Sequence, residues 1–358
     1  MIIEDKNYLE DIKAVAENKI LNFEKMKDKT ILLTGATGLI NSFLVDVLMY
    51  RNKIYDNNIK IYMLSRNEEK ILSRFKYYSL EKQSENNIGN LIYIIGDVCE
   101  KFTFDINFDY IIHGASNTHP LAYSSDPIGT ITTNIIGLNN LLDYNKNNQN
   151  SRVFLMSSVE IYGENKKDVD KFDENYLGYI NCNTLRAGYP ESKRTCEALA
   201  QAYISKYDMD IVIGRFSRVY GPTMQINDSK ALSQFIKNAV NDQDIILKSK
   251  GEQYFSYCYV ADAVSAMLKI LFDGKTGEAY NISDDESNIK LKDLAQILAS
   301  INNKSVIFEI PDEQERKGYS TATIAILDSK KINDLGWKAD YDIESGIKNT
   351  VKIIKRNK

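Results

Sequence analysis

Thr30-Ile31-Leu32-Leu33-Thr34-Gly35-Ala36-Thr37-Gly38-Leu39-Ile40 is the stretch on which the fold turns. Residues 31–33 read as a short buried strand, and residues 39–49 as a helix. Two glycines stand between them, where the chain must turn sharply. Glycines there let backbone approach a phosphate, and the helix start offers amides and a partial positive charge. A glycine turn alone says little; between a strand and a helix it marks a dinucleotide cradle. The third glycine of Gly-x-x-Gly-x-x-Gly is Asn41 here. A slight tilt of the helix is expected, with binding preserved.

The alternation continues outward. Strands are expected at 59–64, at 91–95 (ending in Gly96-Asp97-Val98), at 110–113, at 152–156 and at 211–215. Strands separated by helices imply a parallel sheet covered on both faces, with right-handed crossovers. The fold class is α/β: a doubly wound parallel (Rossmann) sheet with a smaller mixed α/β lobe. Past about residue 175 the alternation loosens. Residues 223–320 mix helices near 229–240, 260–272 and 290–301 with short strands, as a substrate-facing lobe would. Leu9, Ile12, Val15, Ile20, Leu21 and Phe23 lie among charges, which reads as one or two amphipathic helical turns ahead of the first strand. The expected division is 1–27 as a helical extension, 28–222 as the dinucleotide-binding domain, and 223–358 as mainly the substrate lobe, interleaved with it.

The 358 residues suffice for one large domain or two closely joined ones. With 43% hydrophobic and 26% charged residues the chain is of ordinary globular type. A net charge of -4 without a basic stripe argues against a nucleic-acid partner. No apolar run reaches the ~18 residues of a membrane helix. No cationic stretch followed by an apolar core opens the chain, so a cytoplasmic protein is expected. Cys99, Cys182, Cys196 and Cys258 lie far apart, with only His113 and His119 to assist them. No metal site is expected, and the cysteines read as free thiols.

An acid at the tip of the second strand normally accepts from the adenosine ribose and repels a 2′-phosphate. This chain has Met63-Leu64-Ser65-Arg66-Asn67 there. Ser65 can donate a hydrogen bond and Arg66 can pair with phosphate, which favours NADP(H) over NAD(H). Asp97 stands either near the adenine amino group or as a turn former. His113-Gly114-Ala115-Ser116 closes the fourth strand with small residues under which a cofactor can pass. His113 itself reads as a packed histidine. Further along, Tyr189 and Lys193 are four apart and share a helix face. A free tyrosine has a pKa of about 10. A neighbouring ammonium favours the phenolate and brings that value toward neutrality. Ser158 lies between the glycine turn and this pair.

Together these residues resemble the extended short-chain dehydrogenase/reductase family that modifies nucleotide sugars, over about residues 28–345. The resemblance rests on Thr34-Gly35-x-x-Gly38, Gly96-Asp97, His113-x-Ala115, Thr133-Asn134-x-x-Gly137, Ser157-Ser158-x-x-x-Tyr162-Gly163, Tyr189-x-x-x-Lys193, Arg215-x-x-x-Val219-Tyr220-Gly221-Pro222 and Tyr259-Val260-x-Asp262. Tyr189-Pro190-Glu191-Ser192-Lys193-Arg194 and Tyr220-Gly221-Pro222-Thr223-Met224 are most similar to UDP-glucuronate decarboxylases, with sugar 4,6-dehydratases and 4-epimerases next. The resemblance implies hydride transfer between nicotinamide C4 and a sugar carbon. Tyr189 would be the acid or base, Lys193 would lower its pKa and hold the nicotinamide ribose, Ser158 would orient the sugar oxygen, and Glu160 would stand where relatives place a base. It implies cofactor contacts at Thr34, Gly35, Thr37, Gly38, Leu39, Ile40, Ser65, Arg66, Asp97, Val98, Gly114, Ala115, Ser116, Asn134, Tyr189, Lys193, Arg215 and Ser217. Substrate contacts are implied at Ser116, Thr118, Ser158, Arg218 and Phe255. A homodimer through two helices, one bearing Tyr189, is implied as well.

Three departures from the family pattern shape the expected reaction. Val159 follows Ser158 where dehydratases carry an acid, which disfavours 4,6-dehydration. Phe255 stands where many relatives clamp the substrate diphosphate with arginine, and Arg218 stands where they have asparagine. Arg218 is therefore expected to supply the missing charge from the opposite wall. The acid absent from the tip of strand two favours a pyridine nucleotide drawn from the NADPH pool. The expectation is an NADP(H)-dependent reductase of a nucleotide-activated keto-sugar, serving surface polysaccharide synthesis. The alternative is a redox-neutral UDP-glucuronate decarboxylase or 4-epimerase with bound NAD. A non-catalytic sensor is disfavoured because Tyr189 and Lys193 are both present. Lys317, Tyr319 and Ser320 are candidates to line the sugar pocket.

Overall fold

The structure is a computed structural model. It describes residues 2–84, 87, 89–118, 125–148, 150–225, 228–309 and 322–358. His119, Lys317, Tyr319 and Ser320 lie outside the described residues.

The strands are β1 (Thr30–Thr34), β2 (Lys60–Ser65), β3 (Glu81–Lys82), β4 (Leu91–Ile95), β5 (Tyr110–His113), β6 (Arg152–Ser158), β7 (Asp210–Phe216), β8 (Arg218–Tyr220), β9 (Ile245–Leu247), β10 (Tyr254–Tyr259), β11 (Ala279–Ile282), β12 (Asn288–Lys290), β13 (Val306–Phe308) and β14 (Ile324–Ala325). Eight form one sheet in the order β11-β7-β6-β5-β1-β2-β4-β3, and every neighbouring pair is parallel. Alternate residues along its strands point to opposite faces. Ile31, Leu33, Ile112, Phe154 and Val212 join the apolar cluster of one face. Leu32, Ile111, Val153, Leu155, Ile211 and Ile213 join that of the other. Burial on both faces is why these strands read as unbroken apolar runs. Successive strands build one way from β1 through β2 and β4, and the other way from β5 through β6 and β7. The order reverses between β1 and β5, and such a reversal opens a ligand crevice at the carboxyl ends of the strands.

A second sheet is built around β10. In it β10 pairs with β8 and β14 in parallel and with β12 in antiparallel register. The two halves of the chain interlock, because β11 supplies an edge of the main sheet.

The helices are α1 (Lys6–Ala16), α2 (Leu39–Tyr55), α3 (Glu68–Arg74), α4 (Pro127–Asn145), α5 (Gly188–Tyr207), α6 (Ala231–Val240), α7 (Val260–Asp273), α8 (Leu291–Ser300), α9 (Lys330–Asn333) and α10 (Ile343–Arg356). No helix among the described residues is long and apolar enough to cross a membrane. The extension is a full helix of 11 residues rather than one or two turns. Asp5 caps it through the Asn7 and Tyr8 amides, and Tyr8, Ile12, Val15 and Ala16 are buried. Each large apolar side chain so buried stabilises by roughly 1.5–3 kcal/mol, enough to hold a short helix in place. Two buried aspartates fasten it. Tyr8 and Arg74 both bond Asp46, while Asp11 accepts from Tyr259, Tyr341 and Asn349. The first helix is thereby pinned to β10 and to the last helix.

Candidate active site

The turn after β1 is made of backbone. Gly35 has φ +70°, and a Cβ there would lie 2.7 Å from the Gly114 carbonyl oxygen. Gly38 begins α2, and no side chain caps the helix start. Its first amides, from Leu39 onward, are offered to a ligand. Thr37 is half-buried beside them. Thr223, from the Tyr220-Gly221-Pro222-Thr223 segment, donates to the Leu39 carbonyl at 2.8 Å and ties the far wall to the cradle. These features fit a dinucleotide diphosphate.

Thr34 corrects its expected part as a cofactor contact. It is fully buried. Its hydroxyl oxygen accepts from the Gly114 and Ala115 amides, both at 3.1 Å, and lies 2.9 Å from His113 Nδ1. Thr34 therefore sets the spacing between the two glycine turns. Burial, with Lys193 nearby, lowers the His113 pKa to about 3, so the ring is neutral. Asn41 fills the place of the third glycine by donating to the Thr34 carbonyl at 3.0 Å. That bond fastens α2 to β1.

Past the end of β2, Arg66 lies 3.7 Å from Asp97, and the Ser65 hydroxyl accepts from the Asn67 amide. Val98 is buried against Gly137, where a Cβ would come within 2.7 Å of it. Ser116 is half-buried and Thr118 exposed.

Ser158 ends β6, and Tyr189 and Lys193 stand one turn apart on α5, both buried. Pro190 is tolerated in the first turn, where its missing amide costs no helix bond. Asn134 donates to Ser192 Oγ, which donates to the Tyr189 carbonyl, each at 2.8 Å. The start of α5 is thus fixed to α4. The expected lowering of the tyrosine pKa is not what the folded chain shows. Burial drives the phenol well above its ordinary value. A hydrogen bond with Ser158 and the charge of Arg186 act downward, and Glu160 acts upward. Lys193 directs its ammonium to the Met156 carbonyl at 2.8 Å, and burial lowers its own pKa.

Glu160 lies in a charged group assembled from separate segments. Arg186 bonds it at 2.8 Å and Arg218 stands 3.9 Å away. The Arg218 guanidinium lies 3.5 Å from the Phe255 ring centroid. Phe255 is buried, and its strand β10 pairs with β8, which carries Arg218. Arg186 escaped the sequence reading, although its place one helical turn before Tyr189 was a usable signal. Arg215 is turned to internal partners: Glu197, Tyr162 and the Glu174 carbonyl engage its three nitrogens. It braces the end of β7 instead of facing the crevice. Ser217 is buried, and its hydroxyl has no hydrogen-bond partner among the described residues.

The model of the NAD dependent epimerase/dehydratase family matches residues 31–283. The chain belongs to this family. It is therefore an enzyme of the extended short-chain dehydrogenase/reductase type. It is similar to UDP-glucuronic acid decarboxylase 1 of Xenopus tropicalis, with 26% identity over 97% of this chain and 80% of the relative. It is 28% identical to UDP-glucuronic acid decarboxylase 3 of Arabidopsis thaliana, over 88% of this chain and 86% of that one. Its fold matches that of UDP-glucuronic acid 4-epimerase from Bacillus cereus, solved in complex with UDP-glucuronic acid and NAD. The TM-score is 0.74 at 20% identity, covering 92% of this chain and all of the other.

Proposed function

We propose that this chain is a redox-neutral nucleotide-sugar enzyme of the UDP-glucuronate decarboxylase type. The observation that carries the reading is the buried pair Tyr189 and Lys193, with half-buried Ser158 at the end of β6, in a fold whose first strand ends in a backbone cradle suited to a dinucleotide. The likeness to decarboxylases over nearly the whole chain supports the substrate class. It favours the redox-neutral alternative over the keto-sugar reductase expected from the sequence.

The backbone of Gly35, Thr37, Gly38, Leu39 and Ile40 would take the diphosphate of a nicotinamide dinucleotide. Ser65, Arg66, Asp97 and Val98 would surround its adenosine. Gly114, Ala115 and Ser116 would pass beneath it, and Asn134 and Lys193 would hold the nicotinamide ribose. The unpartnered Ser217 hydroxyl is suited to the carboxamide. When bound, the nicotinamide supplies a two-electron acceptor and donor for the sugar carbon. Burial by itself keeps the Tyr189 phenol protonated. Ionised once a dinucleotide's positive charge joins Lys193 beside it, Tyr189 would take the proton of the sugar hydroxyl as that carbon is oxidised and return it on reduction. Ser158 orients the same oxygen. Lys193 provides the cation that steadies the phenolate as the proton moves. Val159, buried where a dehydratase would need an acid, has no proton to give. Loss of carbon dioxide needs none from it. A ketone at C4 lies β to a C5 carboxylate, so the C5–carboxyl bond breaks and its electron pair enters the enolate, which is then protonated at C5.

The NADP(H) preference drawn from Ser65 and Arg66 loses part of its basis, because Asp97 brings a carboxylate to the arginine. The absence of an acid on β2 keeps the reductase as a second reading. One experiment separates the two. The chain is incubated with UDP-glucuronate and either dinucleotide, and followed by mass and by nicotinamide absorbance. Carbon dioxide and a UDP-pentose without net change in absorbance support the decarboxylase; stoichiometric loss of NADPH with a keto-sugar nucleotide supports the reductase. A homodimer belongs to the same proposal. Ile128, 74% exposed, and Leu185, 65% exposed, leave apolar surface at the starts of α4 and α5. Sizing in solution tests it.

A further inference from the structure

We propose that Arg218, laid on the Phe255 ring, selects sugars that carry a carboxylate, while Arg186 keeps Glu160 out of its way. The inference rests on the nucleotide-sugar reading above and names the chemistry its sugar end accepts.

Position is the first argument. The Glu160 amide donates to Ser158 Oγ at 3.2 Å, so the charged group sits two residues from the serine facing the reacting oxygen. In a nucleotide sugar the diphosphate leaves from C1, across the ring from C4. A cation facing Glu160, whose own backbone bonds Ser158, is therefore placed toward the far end of the sugar. This moves Arg218 away from the diphosphate grip expected of it.

Charge is the second. Two guanidiniums, with side chains 26% and 22% exposed, face one carboxylate that is 25% exposed. Among the described residues Glu160 is the only carboxylate within 4 Å of Arg218, and Arg186 shares it, so the charge of Arg218 is only partly met where water screens it poorly. A neutral sugar hydroxyl would leave that charge unbalanced; a sugar carboxylate would cancel it.

Hydrogen bonding is the third. Arg186 holds one Glu160 oxygen at bonding distance, whereas Arg218 is 3.9 Å from the other, too far to count as a bond. Arg218 Nη1 is buried and has no hydrogen-bond partner among the described residues. A buried donor of this kind is costly unless a ligand meets it. The ring beneath fixes the plane of the guanidinium and leaves its edge to receive a carboxylate oxygen.

The test is calorimetric titration of the NAD-saturated chain with UDP, UDP-glucose and UDP-glucuronate. The unaltered chain should bind UDP-glucuronate about ten- to a hundredfold more tightly than UDP-glucose, the range of one charge-assisted bond. Arg218→Gln should erase that preference and leave UDP binding as it was. Arg218→Lys, which keeps the charge but loses the planar stack, should restore part of it. Equal weakening of all three ligands in Arg218→Gln would return the residue to the diphosphate and overturn the inference. A preference that survives Arg218→Gln overturns it too. Nucleotide sugars bound and turned over without favour for the acid would sink this inference alone. A chain that binds none of the three would sink the nucleotide-sugar reading, and the inference with it.

Discussion

Beside the cradle of Gly35, Gly38 and Gly114, which is built of backbone, the charged wall of Glu160, Arg186, Arg218 and Phe255 is made of side chains. The cradle comes from two strand ends joined by Thr34. The wall draws on a turn after β6, the approach to α5, and two strands of the second sheet. A backbone site is set by φ angles and close approach, so few substitutions are tolerated and its chemistry is general. A side-chain site is set by which residues happen to face one another, so its chemistry can change without moving the fold.

The sharpest way to break this contrast lies between the two regions. Tyr189→Phe should lower turnover by about 10²–10⁴-fold, the usual worth of a positioned acid–base group. Dinucleotide binding, measured by fluorescence titration, should barely change. Normal turnover would remove Tyr189 from the chemistry.

The next effect concerns the frame behind both regions. Burial outweighs three hydrogen-bonding partners and raises the Asp11 pKa from 3.8 to about 6. A raised folded value means the folded chain binds the extra proton. The stabilisation is complete below the unfolded pKa and is lost as pH rises through about 6. A shift of this size corresponds to about 3 kcal/mol. His113, held neutral by burial, adds stability as pH rises over the same window, so the effect is read as a difference. In thermal melts from pH 4 to 7 the unaltered chain should lose stability relative to Asp11→Asn. A difference that stays constant with pH would mean that Asp11 is not the group titrating.

A smaller loss is expected in the cradle. Gly35→Ala places a Cβ against the Gly114 carbonyl at a positive φ. It should weaken dinucleotide binding by about tenfold or more, equivalent to ~1.4 kcal/mol. Unaltered affinity would show that the turn relaxes freely. The smallest effect is at Arg66, an exposed group paired loosely with Asp97. Arg66→Asp should shift preference from NADP(H) toward NAD(H) by a few-fold in a competition assay; no shift would leave Arg66 without a part in cofactor choice.

What the sequence disclosed follows the same contrast. The long sheet strands were legible because burial on two faces demands continuous apolar runs. The two-residue β3, Glu81–Lys82, carries no such signal. The glycine turn was legible because its residues are contiguous. The pairing of Arg186 with Glu160 was not, since 26 residues separate them and only the course of the chain brings them together. Burial of Tyr189 acts against the lowering expected from Lys193, and spacing could not show it: it tells which charge is near, but not how much water is lost.

The pinning of the first helix also bears on the order in which the molecule can be completed. Asp11 waits for a donor on Asn349, 338 positions later. A chain emerging amino end first from a ribosome must carry that carboxylate incompletely satisfied until Asn349 has been made. Helix α1 can rest on Asp46 and Phe43 of α2 early, but its Asp11 fastening closes only once the segment bearing Asn349 follows it.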